Sequence, residues 1–214
     1  MRSKILLLVL TSLIVVTNNC KKADAPTSEA GPLRAVEGPA QEVQDKGNGI
    51  AINTEKSIVK WLGAKVTGQH NGTVKISSGT INIDGDKIVG GKITLDMKTI
   101  DDLDLSGEWE AKLEEHLKSD EFFDVEKYPT AEFVITQVGP VSADGKTEIT
   151  GNLTIKETTK SIKFPASITF DANKKPSAAN ASFSINRQSW KITYPGKPDD
   201  LIKDDIVLDL NISL

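Results

Sequence analysis

Few residues in this chain have the types and spacing needed for acid–base, nucleophilic or metal chemistry. Its 214 residues include two histidines, His70 and His116, and one cysteine, Cys20. That excludes a three-histidine zinc site, Cys₄ and Cys₂His₂ sites, and an intrachain disulfide. A metal centre would have to join both histidines to a carboxylate such as Asp124 or Glu115. Nothing in their separation (116 − 70 = 46 residues) demands that, so no metal is expected. Serines are numerous, but no Gly-x-Ser-x-Gly elbow, His-Glu-x-x-His pair or glycine-rich phosphate cradle occurs. The expectation is a non-enzyme without a cofactor. Arg187 is the odd member of an apolar phase that includes Phe183 and Ile185. An inward arginine must be paired or reach solvent. Asp124 and Glu132 are its candidate partners, and an anionic ligand head group is the alternative. The net charge of −4 creates no basic field for nucleic acid.

The two ends of the chain differ in kind. Arg2 and Lys4 precede an apolar run from Ile5 to Val16, broken only by Thr11 and Ser12. That run is too short to span about 30 Å of hydrocarbon as a helix and has the form of an export signal. It leads to the lone Cys20. A signal that ends at a single cysteine resembles a bacterial lipoprotein signal, in which the cysteine is lipidated. Ordinary secretion with a free thiol is the alternative, since Thr17-Asn18-Asn19 is a poor lipobox. The expected layout is a signal peptide over 1–19, a flexible tether over 20–48 and one domain over 49–214. Lys21-Lys22, Pro26, Gly31-Pro32 and Gly38-Pro39 give the tether its composition. Such a segment buries too little to offset its ordering entropy and would reach roughly 30 Å.

From Gly49 onward the pattern is mostly of period two, as in half-buried strands. Ile206, Leu208, Leu210, Ile212 and Leu214 alternate with Val207, Asp209, Asn211 and Ser213, and Ile162, Phe164, Ala166, Ile168 and Phe170 alternate with Lys163, Pro165, Ser167 and Thr169. Ile149 to Ile155 and Ala179 to Ile185 follow the same rule. Further strands are expected at 57–67, 73–83, 87–98 and 130–138, with a β-bulge near Ser78-Gly79 where the apolar phase shifts. Turns fall at Asp84-Gly85-Asp86, Ala143–Lys146 and Asn173–Pro176. Glu110–Ser119 breaks the pattern. Trp109, Leu113 and Leu117 recur there at helical spacing, so a short helix is expected between strands three and four. Eight strands in succession favour an all-β antiparallel barrel, which has no free edges. Ala166, Ala179, Ala181 and Gly151 make the inward phase lean. That fits a cavity, and equally a packed core with close strands.

Several stretches carry a family resemblance. They are Ser57-Ile58-Val59-Lys60-Trp61, Gly63–Gly72, the long run from His116-Leu117-Lys118-Ser119 to Pro129-Thr130-Ala131-Glu132-Phe133, Gly151–Lys156 and Phe183–Trp190. Across about residues 50–214 the chain resembles the YceI-like lipid- or polyisoprenoid-binding family. The resemblance implies an extended, lipocalin-like antiparallel β-barrel with helical elements near one end. It further implies an exported protein that holds a polyisoprenoid, isoprenoid quinone or other long amphiphile in an apolar channel. Two departures occur, at Glu110–Glu115 and at Lys156–Thr159, where the family has other polar and turn residues.

The candidate wall or mouth residues of such a channel are Trp61, His116, Phe122, Phe123, Phe133, Phe164, Phe183, Arg187 and Trp190. For most of them packing is the plainer role. His116 could simply lock the helix to the barrel, and His70 could be structural. The expected function is membrane-tethered binding of a lipid, with Cys20 as the lipid anchor in the bacterial cell envelope (periplasm or outer membrane). The alternative is an exported scaffold that acts through protein contacts. Homodimers suit such barrels.

Overall fold

The computed structural model describes residues 32–43 and 47–214. The expected signal peptide, Cys20 and the first part of the expected tether lie outside these residues. In chain order the strands are β1 Val36–Pro39, β2 Asn48–Ala51, β3 Ile58–Lys65, β4 Gly68–Asp84 and β5 Lys87–Asp102. The helix α1, Glu108–Lys118, comes next, followed by β6 Thr130–Val138, β7 Lys146–Ile155, β8 Thr158–Phe170 and β9 Pro176–Asn186. A 3₁₀ turn spans Arg187–Trp190, and β10 Gly196–Lys197, β11 Asp200–Leu201 and β12 Asp205–Ser213 complete the chain.

Eight strands form a closed antiparallel ring in the order β8-β7-β6-β5-β4-β3-β12-β9, and β9 returns to β8. These are the eight strands expected from the alternation, and α1 lies between the third and fourth of them. Each ring strand puts its apolar phase inward. Ile162, Phe164, Ala166 and Ile168 are buried on β8, whereas Phe170 at its end is 37% exposed. The register of β4 against β5 shifts between Ile76 and Ser78, close to the expected bulge, and at two further places. Those shifts let one long strand keep its apolar side inward while it bends.

At one end of the ring α1 packs Leu117 and Leu113 against the core. Trp109 belongs to the same four-residue series but is 70% exposed, with the Lys112 ammonium 5.0 Å from its ring centre. Two steps of four residues drift by about 80° on a 3.6-residue helix, enough to carry Trp109 off the packing face. The following segment folds back over the opening. Phe123 N donates to Leu117 O at 3.1 Å and Val125 N to Lys118 O at 3.0 Å, with Phe122 and Val125 buried.

The expected tether over 20–48 needs correction in its described part. Val36–Pro39 pair with Lys160–Lys163 of β8, Asn48–Ala51 pair with β4, and Ala35 is buried. Four-residue strands are too short to show a period in the sequence. Their partner is an open backbone edge elsewhere in the chain, which composition does not report.

Candidate functional site

The ring encloses a cavity of about 160 Å³, within about 1310 Å³ of space free of protein atoms once its open part is counted. Its exposed wall is apolar throughout. Ile206, Leu208 and Leu210 of β12 form one side, with Trp61 of β3 and Leu95 of β5 beside them. All five are only partly buried although they point into the ring. Their remaining exposure is to the interior, and this is the mark of a hollow barrel in a chain whose other core positions are packed.

Aromatic rings divide the interior. Phe164 stacks on Phe183 with ring centres 4.0 Å apart and planes 14° from parallel, and Phe133 lies 5.6 Å from Phe164. Phe133 and Phe164 border the main cavity and also a second one of about 50 Å³ at the far end, beside Ala179 and Ala181. Glycine makes room for this arrangement. A Cβ on Gly151 would lie 2.4 Å from Phe133 Cζ and 2.6 Å from Val134 O. At Gly72 it would lie 1.8 Å from Asp101 O and 2.6 Å from Cζ2 of Trp61. The indole therefore lies flat over β4 because that position has no side chain.

Of the expected site residues, the structure gathers Trp61, Phe122, Phe123, Phe133, Phe164, Phe183 and Arg187 around one cavity. It does not bring His116 or Trp190 to the wall. Trp190 is fully buried and its Nε1 donates to Leu153 O at 3.1 Å, which ties the 3₁₀ turn to β7. His116 sits behind Phe122, edge-on to it and to Tyr194 at 5.7 and 4.6 Å, with Nδ1 3.5 Å from Glu121. Among the described residues, three buried polar atoms lack a protein partner: Trp61 Nε1, Asp102 Oδ2 and His116 Nε2. The aliphatic wall of β12 was readable only as a half-buried strand, because alternation shows which side is apolar and not whether that side meets a void.

Arg187 corrects an expected pairing. It is 1% exposed, and its partner is Asp204 at 3.1 Å, not Asp124 or Glu132. Glu132 instead pairs with Lys92 at 2.8 Å. The guanidinium also donates to the carbonyls of Ile192, Lys203 and Ile202 at 2.6, 3.2 and 3.3 Å. Burial lowers its pKa and Asp204 works against that. The segment that supplies three of these acceptors, residues 202–204, precedes β12, and no spacing rule links it to position 187.

The two histidines are held by different partners. His70 Nδ1 lies 2.9 Å from Asp104 Oδ2, and Asp104 Oδ1 accepts from the Asn71 amide at 2.7 Å. Asp102, 2% exposed, accepts from the Leu105 and Asp104 amides at 2.7 and 3.2 Å. Its own amide donates to Glu114 of α1 at 3.2 Å. The cluster thus fixes the end of β5 to β4 and to the helix. Burial pushes the Asp104 carboxyl up, but the Asn71 amide and His70 outweigh it and hold the group below its ordinary value. A carboxylate whose folded pKa is depressed stabilises the fold above its unfolded pKa, about 3.9, and loses that contribution as pH falls through the folded value. Asp104→Asn is therefore expected to lower the urea midpoint at pH 7 and to leave a much smaller difference from the parent at pH 3. Equal differences at both pH values would show that Asp104 does not carry this linkage.

The family profile described as YceI-like domain matches residues 51–214. A UPF0312 protein of Pseudomonas putida is 32% identical over 152 residues, covering 67% of this chain and 71% of its own. One from Pseudomonas fluorescens is 31% identical over 147 residues, covering 65% and 72%. Among solved structures, Burkholderia cenocepacia BcnA superposes with a TM-score of 0.60 at 19% identity, covering 76% of this chain and 99% of its own. A polyisoprenoid binding domain from Saccharophagus degradans, implicated in plant cell wall breakdown, gives 0.59 at 10% identity, covering 78% and 97%. At these identities the two structures speak for the fold.

Proposed function

The chain belongs to the YceI-like domain family, and from that premise we propose that it is an exported, membrane-tethered protein that sequesters or carries a long apolar ligand inside its barrel. The cavity carries the proposal: about 160 Å³ of space with a wholly apolar exposed wall. A void of that size lined by aliphatic and aromatic side chains stays dry and takes up a benzene-sized apolar guest, so a long chain would extend into the open part of the space as well. Each buried methylene of a guest contributes about 0.8 kcal/mol, so affinity needs no catalytic or charged group. Trp61 contributes apolar ring surface to the wall, while its Nε1 is buried away from the cavity. The solved Saccharophagus domain described as polyisoprenoid binding supports a polyisoprenoid or similar lipid as the ligand class. Tethering through Cys20 in the bacterial cell envelope rests on the sequence pattern alone.

Organic extraction of the protein purified from its native envelope, followed by mass spectrometry, tests the reading. The expected result is a long-chain lipid in near-stoichiometric amount. An empty extract, together with failure to take up any added polyprenol, would overturn it in favour of a scaffold acting through protein contacts.

A further inference from the structure

We propose that the seam between β8 and β9 is the door of the cavity and that residues 33–39 are the strap that closes it; this rests on reading the cavity as a ligand site. The two strands pair directly only from Ala166–Ala181 to Phe170–Pro176. Toward the helix-capped end they part, and the strap runs between them. On one side Val36–Pro39 pair antiparallel with Lys160–Lys163. On the other, Ala35 N donates to Ser184 O at 2.8 Å and Ser184 N to Leu33 O at 3.1 Å. Behind the strap lie Ile162 and Phe164 of β8 and Phe183 and Ile185 of β9, all part of the cavity wall. Lifting it would open a lateral slot into the cavity.

The strap is held more weakly than the rest of the ring. Leu33 and Val36 are 71% and 68% exposed, so it buries little apolar surface beyond Ala35. What holds it is a short ladder and a latch: Glu37 accepts from the Asn186 amide at 3.3 Å and from the Ser189 hydroxyl. Its Arg34–Asp205 pair is half exposed at 3.4 Å, a kind that contributes little. Water can replace backbone partners at the surface, so such a segment opens before the core does. Beyond the strap the chain is pinned. Gln41 N and O bond the Asn152 side chain at 2.7 Å each, and Thr136 Oγ1 donates to Gln41 Oε1 at 2.9 Å. Movement is thus confined to the residues before Gln41, with Ala40 as the pivot. The helical cap, by contrast, plants Leu117 and Phe122 in the core. The strap also lies upstream of the matched YceI-like segment.

The test uses the full chain with Cys20→Ser, to remove the third thiol, and Val36→Cys with Lys163→Cys. These two positions face each other in register, a separation that antiparallel pairs offer to a disulfide. Uptake and release of N-phenyl-1-naphthylamine are followed by fluorescence. Oxidation is expected to slow both at least tenfold with little change in affinity, and dithiothreitol to restore them. Glu37→Ala, which needs no crosslink, is expected to speed both severalfold. Probe exchange that is unchanged by the crosslink and by Glu37→Ala overturns the strap while leaving the cavity reading intact. Absence of probe binding in every form overturns both.

Discussion

Leu208→Trp is expected to weaken apolar-probe binding roughly a hundredfold while leaving the fold in place. Leu208 stands on β12 opposite Trp61 of β3 and Phe183 of β9, and it borders the cavity. An indole there would project into space that a ligand would otherwise fill. Displacing about four methylenes' worth of guest, at about 0.8 kcal/mol each, costs about 3 kcal/mol of binding. Overpacking a filled core costs about 1–3 kcal/mol. Here the new ring enters a void, so the melting temperature should change by only a few degrees. Titration with N-phenyl-1-naphthylamine beside a thermal melt separates the two effects. Undiminished probe binding would mean that the probe does not occupy the cavity.

Arg187→Met should have the opposite profile, with a large loss of stability. The substitution keeps an unbranched apolar stem but removes every donor from a site that is 1% exposed. The carbonyls of Ile192, Ile202 and Lys203 would lose their guanidinium donor, and Asp204 would lose its cation. Breaking a buried charged network by removing one partner costs about 3–5 kcal/mol. For a domain of this size that corresponds to a fall in melting temperature of about 6–20 °C. Circular dichroism melts of parent and variant check it. A loss below about 1 kcal/mol would mean that these carbonyls find water as easily as they find Arg187.

Much of the ring was legible in the sequence because period-two alternation is a local property. Ile206 to Leu214 announced β12 by themselves, and the phase shift near Ser78 announced a bend. What was not legible depends on partners distant in sequence. The strap is four paired residues amid prolines and glycines, and its identity as a strand comes from the gap between β8 and β9. Arg187 could be read as needing a partner, yet that partner faces it only through the pairing of β9 with β12, which sets Asp205 opposite Asn186. The aromatic wall residues were legible as types. Phe164 and Phe183 came together because their strands flank one seam, while Trp190 was drawn away by its hydrogen bond to β7. His116 was legible as a channel-mouth candidate, with a lock between helix and barrel as the plainer role, and in the fold its ring packs edge-on to Phe122 and Tyr194.

The inserted strap also changes the arithmetic of the barrel. Around the far end the circumference is eight strands, closed by β8 directly on β9. Around the helix-capped end it is nine, because residues 33–39 stand between those two strands. Barrel diameter grows roughly in proportion to strand number, so one end is about an eighth wider and its cross-section roughly a quarter larger. The interior follows that taper, with about 160 Å³ in the main cavity and about 50 Å³ at the narrow end. A short stretch of chain ahead of the matched family segment thus adds a ninth strand to one end of the ring.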